Sequence, residues 1–262
     1  MNIGIFDSGL GGLNVLKSLR EKLPEYHYIF FGDQAHVPYG NKTKEELFKY
    51  TTEALSFLYK EKNCACVLLA CNTTSSSIYG ELRTWVEKEF PGKLLFGIVR
   101  PTVLAVETTD SVAIFATMRT VESHAYRDGL MKEKNIPEGN ITEIVLPLLA
   151  TKIERGEQVD DYIASFKDTV PTNVQTGILG CTHYGIVQDS FMKAFPQIHT
   201  WLCQEDIVPE KFASYFKEHI EFDRLLSHDR VLEVFISKES HVFSTWLSRW
   251  FGDEVVANII KF

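Results

Sequence analysis

Short apolar runs that end in clusters of polar residues recur along this chain, and between them apolar positions return at helical spacing. Ile3-Gly4-Ile5-Phe6 reads as a buried strand, Asp7-Ser8-Gly9-Leu10-Gly11-Gly12 as the turn after it. Leu13 to Leu23 follows as a helix, with Leu13, Leu16 and Leu19 on one face. Tyr28-Ile29-Phe30-Phe31 is a second strand, ending at Gly32-Asp33, and Val37-Pro38-Tyr39-Gly40-Asn41 is a loop. Thr43-Lys44-Glu45-Glu46 has capping-box spacing and opens a helix that carries Leu47, Tyr50, Ala54, Leu55 and Leu58 on one side. The next strand ends in Val67-Leu68-Leu69-Ala70-Cys71-Asn72-Thr73-Thr74, as a buried parallel strand does when it delivers polar groups to a helix start. A helix is expected from about Ser76 to Phe90, then a strand over Leu94 to Val99 that stops at Arg100-Pro101.

Beyond this point the pattern restarts. Val112-Ala113-Ile114-Phe115-Ala116-Thr117 repeats the form of the first strand, with Ile114-Phe115 matching Ile5-Phe6 at an offset of 109 residues. Gly177-Ile178-Leu179-Gly180-Cys181-Thr182-His183-Tyr184 repeats the Cys71 strand end at an offset of 110. One duplication explains both offsets. The second half continues through a strand over Ile141 to Leu146, a helix over Leu149 to Glu154 and another over Asp161 to Asp168. Helices are expected over Pro209 to Glu218 and Ser240 to Phe251, the latter stopped by Gly252. The fold class expected is α/β: two pseudo-symmetric domains with mainly parallel sheets and a site between them. Residues 1–95 and 206–262 would form the first domain and 96–205 the second.

Composition narrows the class. Across 262 residues the net charge is −8, which argues against a nucleic-acid partner. The N-terminus meets Asp7 at once and does not read as a signal peptide, and the longest apolar run is too short to span a bilayer. A cytoplasmic protein with no membrane partner is expected. Its five cysteines then read as thiols rather than disulfides, and no clustered spacing suggests a metal site. Cys64, Cys66 and Cys203 read as small buried hydrophobes, with Cys64 and Cys66 on one strand face and Cys71 on the other.

Cys71 and Cys181 carry the chemistry. Each stands at the carboxyl end of a strand, where open α/β sheets bind ligands. There a helix N-terminus can draw a thiol toward neutral pKa. Two such thiols facing one small ligand suit proton removal from one side of a stereocentre and delivery to the other. Buried-core thiols are the plain alternative, Asp7 can simply cap a helix, and His183 can be a core histidine. Rival activities fit less well. Gly9-x-Gly11 with Asp33 lacks the third glycine of a dinucleotide site, since Asn14 stands there. A cysteine hydrolase leaves one thiol without a task. A non-catalytic amino-acid sensor on the same fold is the alternative from another class.

The sequence resembles the glutamate racemases, of the cofactor-independent aspartate/glutamate racemase superfamily. The matching pieces are Phe6 to Leu13, Gly32-Asp33 with Pro38-Tyr39-Gly40, Ala70 to Thr74, the Thr117, Thr120, Val121, Ser123 and Tyr126 pattern, and Gly180 to Tyr184. The resemblance implies Cys71 as base toward D-glutamate and Cys181 toward L-glutamate. Asp7 would assist the first thiol; His183 and Glu154 would assist the second. Substrate contacts would come from Asp7, Ser8, Pro38, Tyr39, Gly40, Cys71, Asn72, Thr73, Thr117, Cys181, Thr182 and His183. It also implies glutamate as the small-molecule substrate, with aspartate or another amino acid as the alternative. No metal or pyridoxal phosphate, a role in peptidoglycan synthesis and a homodimer complete the expectation. Arg100, Ala116, Arg119, Leu146, Gly185 and the Gln204-Glu205 pair depart from the usual family pattern. None of them removes a group with a catalytic role.

Overall fold

The computed structural model describes residues 1–107 and 111–261; positions 108–110 and 262 lie outside the described residues. The chain begins β1 (Asn2–Asp7), α1 (Gly11–Lys22), β2 (Tyr28–Gly32), α2 (Lys44–Ser56), β3 (Cys64–Leu69). It continues α3 (Asn72–Ser77), α4 (Tyr79–Glu89), β4 (Leu94–Gly97), α5 (Val99–Leu104) and β5 (Val112–Ala116). Then come α6 (Met118–Glu122), α7 (Ala125–Lys134), β6 (Ile141–Val145), α8 (Leu149–Glu154), α9 (Asp160–Ala164) and β7 (Thr176–Gly180). The last stretch holds α10 (Thr182–Gly185), α11 (Gln188–Ala194), β8 (Thr200–Leu202), α12 (Gln204–Glu218), α13 (Ile220–Asp223), β9 (Leu232–Ile236), α14 (His241–Phe251) and β10 (Ala257–Ile259).

The strands form two sheets, ordered β10-β9-β2-β1-β3-β4 and β6-β5-β7-β8. Every pairing among the described strands is parallel. The inner order β2-β1-β3-β4 of the first sheet is matched strand for strand by β6-β5-β7-β8. The repeat seen in the sequence is therefore a repeat of topology, and β3 and β7 are equivalent strands. The chain leaves the first sheet after β4 and rejoins it at β9, which pairs with β2. β9 and β10 go beyond the strands read from the sequence: Leu232–Ile236 is as long as β2, whereas Ala257–Ile259 is three residues at an exposed edge.

Apolar packing explains why the halves stay together. One cluster runs unbroken from Ile3, Ile5 and Phe30 of the first sheet, through Leu13 and Leu16 of α1, to Phe115, Leu179 and Phe191 of the second half. The opposite face of the first sheet, with Phe6, Val67 and Leu69, packs under Leu47 and Leu55 of α2 and Leu82 and Val86 of α4. The outer face of the second packs Ile114 and Ile178 against Val103 of α5 and Leu130 of α7.

Several boundaries differ from the sequence reading, each for a local reason. Gly11 and Gly12 belong to α1 rather than to the turn before it. The helix expected from Ser76 to Phe90 is two helices, broken at Ile78. Arg100-Pro101 does not end a strand; both residues lie in the first turn of α5, where proline's missing N–H costs no helix bond. Pro209 sits inside α12, which starts earlier, at Gln204. Cys64 and Cys66 do not share a face. The β1–β3 register slips between Asn2 and Ile3, so Cys64 turns toward Val67 beside Gly4, while Cys66 joins the central cluster. The capping box forms as read: Glu46 N–H donates to Thr43 Oγ1 at 3.2 Å, and Thr43 N–H to Glu46 Oε2 at 2.9 Å. Gly252 ends α14 with φ of 91°, a left-handed conformation that glycine adopts without strain.

Candidate active site

The carboxyl ends of β1, β3, β5 and β7 converge on one narrow cavity of about 30 Å³, room for little more than a water. Ser8, Pro38, Tyr39, Gly40, Cys71, Asn72, Thr73, Thr117, Cys181, Thr182 and His183 all line it. Two residues singled out from the sequence do not. Asp7 is fully buried beneath the cavity, and Glu154 stands behind His183. Val37, Asn41, Met118, Pro147 and Ala150 complete the wall without having been singled out. Their chemistry is plain, and only their place beside Pro38-Tyr39-Gly40, Thr117 and Leu149 could have pointed to them. A wider cleft of about 770 Å³ lies elsewhere, between Tyr79, Phe96, Pro101 and Lys211, but it holds no thiol.

The two thiols have unlike surroundings. Cys71 is the N-cap of α3, 4% exposed, and its Sγ donates to Ser8 Oγ at 3.6 Å. The expectation that a helix N-terminus would draw this thiol toward neutrality fails here. Burial, with the nearby Asp7 charge adding to it, pushes Cys71 up to about 11, against weaker help from Thr74 and Ser8. Cys181 is the N-cap of α10, and its Sγ lies 3.6 Å from His183 Nδ1. His183 Nε2 lies 2.6 Å from Glu154 Oε1. Burial works to lower the His183 pKa, but hydrogen bonds to Cys181 and Glu154 overcome it and hold the ring well above its ordinary value. Glu154 is lowered in turn: burial opposes the shift, and the His183 contact and the Leu10 N–H outweigh it.

The acids also tie the two halves together. Asp7 Oδ1 accepts from Gly9 N–H at 2.8 Å, and Oδ2 accepts from Thr182 Oγ1 at 3.1 Å. Asp7 makes no hydrogen bond to Cys71 and acts on it only through charge. Burial, offset partly by His183, raises Asp7 to about 6. From the other side, Glu154 Oε1 accepts the backbone N–H of Leu10 at 2.7 Å. Thr73 Oγ1 and Thr117 Oγ1 meet at 3.1 Å across the cavity wall. Asn72, oriented so that its amide satisfies its neighbours, turns Oδ1 toward the N–H groups of Cys181 and Thr182 at 3.3 and 3.2 Å. Tyr126, Gln204 and Thr120 support this wall from behind.

No family model matches the sequence. Individual proteins do. The chain is 31% identical over 264 residues to a glutamate racemase of Sulfurihydrogenibium sp. (strain YO3AOP1), covering 97% of this chain and 95% of that protein. It is 32% identical over 261 residues to one from Lactobacillus acidophilus, covering 96% and 93%. The fold is similar to that of the Francisella tularensis glutamate racemase solved in complex with D-glutamate, with TM-score 0.84 and 25% identity over 99% of this chain and 97% of that one. A Thermus thermophilus glutamate racemase in complex with beta-chloro-D-alanine superposes with TM-score 0.79 and 26% identity, over 100% and 97%. These similarities place the chain among the amino-acid racemases. Within that class, the chain belongs to the glutamate racemase family.

Proposed function

We propose that this protein interconverts L- and D-glutamate by moving protons between the substrate's Cα and two cysteines, Cys181 on one face and Cys71 on the other. The observation that carries this reading is the pair of thiols at equivalent strand ends lining one cavity. With L-glutamate, the Cys181 thiolate takes the α-proton as the C–H bond breaks. The Cys71 thiol then gives its proton to the opposite face as the new C–H bond forms. Cys181 ends protonated and Cys71 ionised, so the next turnover uses the D-enantiomer or follows proton exchange with water. The raised pKa of Cys71 suits the acid in the first half of this cycle. His183, kept protonated by Glu154, is a fitting neighbour for an anionic Cys181. Among the described residues the charge that acts most on Cys71 is that of Asp7, which opposes its thiolate, and the α-ammonium of a bound substrate would supply the charge that favours it. The hydroxyls of Ser8, Thr73, Thr117 and Thr182 and the amide of Asn72 suit a bound carboxylate and a carbanion-like transition state. Asp7 and Glu154 act from behind as positioning groups.

This chemistry calls for no cofactor. Family membership further supports a role in supplying D-glutamate for peptidoglycan, a cytoplasmic location and a homodimer. The units built on the six-stranded and the four-stranded sheets would separate to admit substrate, with the whole of β4 on the first side. No helix among the described residues is long and apolar enough to cross a membrane.

The test is racemisation of D-glutamate in deuterated water. Early L-glutamate product should carry solvent deuterium, while recovered D-glutamate stays largely unlabelled. Label returning first to the D-enantiomer would mean a single base working on one face, against this mechanism.

A further inference from the structure

The turn that carries Thr182 and His183 is short: α10 has four residues and ends at Gly185. Against its end lies the carboxyl of Glu205, from the first turn of α12. A Cβ on Gly185 would fall 1.8 Å from Glu205 Oε1 and 2.6 Å from its Cδ. The carboxyl therefore occupies the space where residue 185 would have its side chain. Asn14 of α1 holds it there, with Nδ2 donating to Oε1 at 2.8 Å. One turn earlier on α1, Gly11 presses directly on the other end of α10; a Cβ there would lie 2.5 Å from Thr182 Oγ1 and 2.7 Å from His183 Nδ1.

We propose that Glu205 is a positioning residue for the Cys181–His183 face of the site, acting as a removable side chain for Gly185 clamped by Asn14. Two elements then close on His183: α1 at the front of α10 and Glu205 of α12 at its back, with Asn14 of α1 joining them. The other carboxyl oxygen, Oε2, is sealed from solvent without a hydrogen-bond partner among the described residues. Burial raises the carboxyl to about 7, against the pull of its own backbone N–H and of Asn14 and with Asp206 adding to the rise. It thus fills this space at neutral pH whether protonated or charged, and shape rather than charge is its contribution. The inference rests on the reading of His183 as the partner of Cys181.

The test is a mutant cycle with kcat and KM measured for both enantiomers, well below each variant's Tm. Glu205→Gln keeps the length and the Asn14 bond and should stay within about threefold of the parent. Glu205→Ala should lower kcat by about tenfold with KM little changed, as a small displacement of a proton-transfer group does. Gly185→Ala should lower kcat at least as much, and adding Glu205→Ala should bring it back to the level of Glu205→Ala alone. Where Gly185→Ala fails to fold, a folded double variant supports the interlock and an unfolded one overturns it. Parental kcat in Glu205→Ala, or a double variant no better than Gly185→Ala, also overturns it. His183→Ala and Cys181→Ser serve as controls. If both are impaired while Glu205→Ala is not, only this inference falls; full activity in Cys181→Ser sinks the two-thiol reading instead.

Discussion

Glu154 Oε1 is shared between two donors, lying 2.6 Å from His183 Nε2 and 2.7 Å from the Leu10 N–H. A single carboxylate oxygen thus orients the imidazole beside Cys181 and fastens the second half to the turn after β1. Four predictions start from this and the neighbouring contacts.

Glu154→Gln should lower kcat by about tenfold or more, since the amide neither fixes the imidazolium nor stabilises its charge. Its stability cost should depend on pH. Glu154 is depressed from an ordinary value near 4.5, so its contribution is present above that value and fades as pH falls through the lowered one. His183 is raised from 6.5, so its contribution is whole below that pH and is lost only as pH rises through the raised value. The Tm gap between parent and variant should therefore be widest between about pH 5 and 6.5 and shrink in stronger acid. A gap that does not change with pH would refute the pairing.

Asp7 gives the opposite sign. Its folded pKa of about 6 lies above the ordinary 3.8, so burial favours the protonated acid. Stability from this group is present below pH 3.8 and is lost as pH rises to about 6. Asp7→Asn should gain on the parent over that range, by on the order of 3 kcal/mol at most. Urea unfolding at pH 4 and pH 7 measures this. Activity should fall in the variant regardless, because the carboxylate that accepts from both the Gly9 N–H and Thr182 Oγ1 is gone.

Cys71→Ser and Cys181→Ser should each lose about 10²–10⁴-fold in racemisation followed by chiral chromatography, since a hydroxyl is too weak an acid to give the anionic base. The enantiomers have equal free energies in water, so kcat/KM must stay equal in the two directions for every active variant. Asymmetry between the thiols should appear instead as unequal kcat values, offset by unequal KM values, in Asp7→Ala and His183→Ala. Exhaustive dialysis against a chelator under reducing conditions should leave the parent rate unchanged. Activity that only metal or pyridoxal phosphate restores would refute the cofactor-free mechanism.

Gly11→Ala should inactivate by driving α10, with Thr182 and His183, out of place. The added Cβ would meet the backbone nitrogen of His183 at 2.7 Å, which cannot move aside as a flexible side-chain tip can. Overpacking of this kind costs about 1–3 kcal/mol, so urea unfolding should shift and kcat should fall together. A fully active, equally stable variant would show that α1 and α10 do not pack so closely.

Much of this arrangement is legible in the residues themselves. The strand ends at Asp7, Cys71 and Cys181 are readable because buried parallel strands are apolar to their last residue and then turn polar. The capping box at Thr43 and the stop at Gly252 are local chemistry and form as read. Contacts made across the fold are a different matter. Nothing at Gly185 or Glu205 says that one fills the other's space, because 20 residues separate them. The opposite faces of Cys64 and Cys66 depend on a register slip against β1, which strand periodicity cannot carry. The high pKa of Cys71 likewise comes from burial and from Asp7 beside it, and no helix start in the sequence discloses it.

The matched order of the two sheets has a consequence for how one catalyst handles mirror-image substrates. An assembly of two identical half-chains would present two identical thiols with identical flanks, and both would hold their protons equally tightly. Such a pair has no ready distinction between donor and acceptor. Joining the halves in one chain frees the flanks to diverge, with Ser8 and Asp7 on one side and His183 and Glu154 on the other. The equivalent strands bring the two sulfurs to one cavity, while the unequal flanks give each thiol its own set of neighbours.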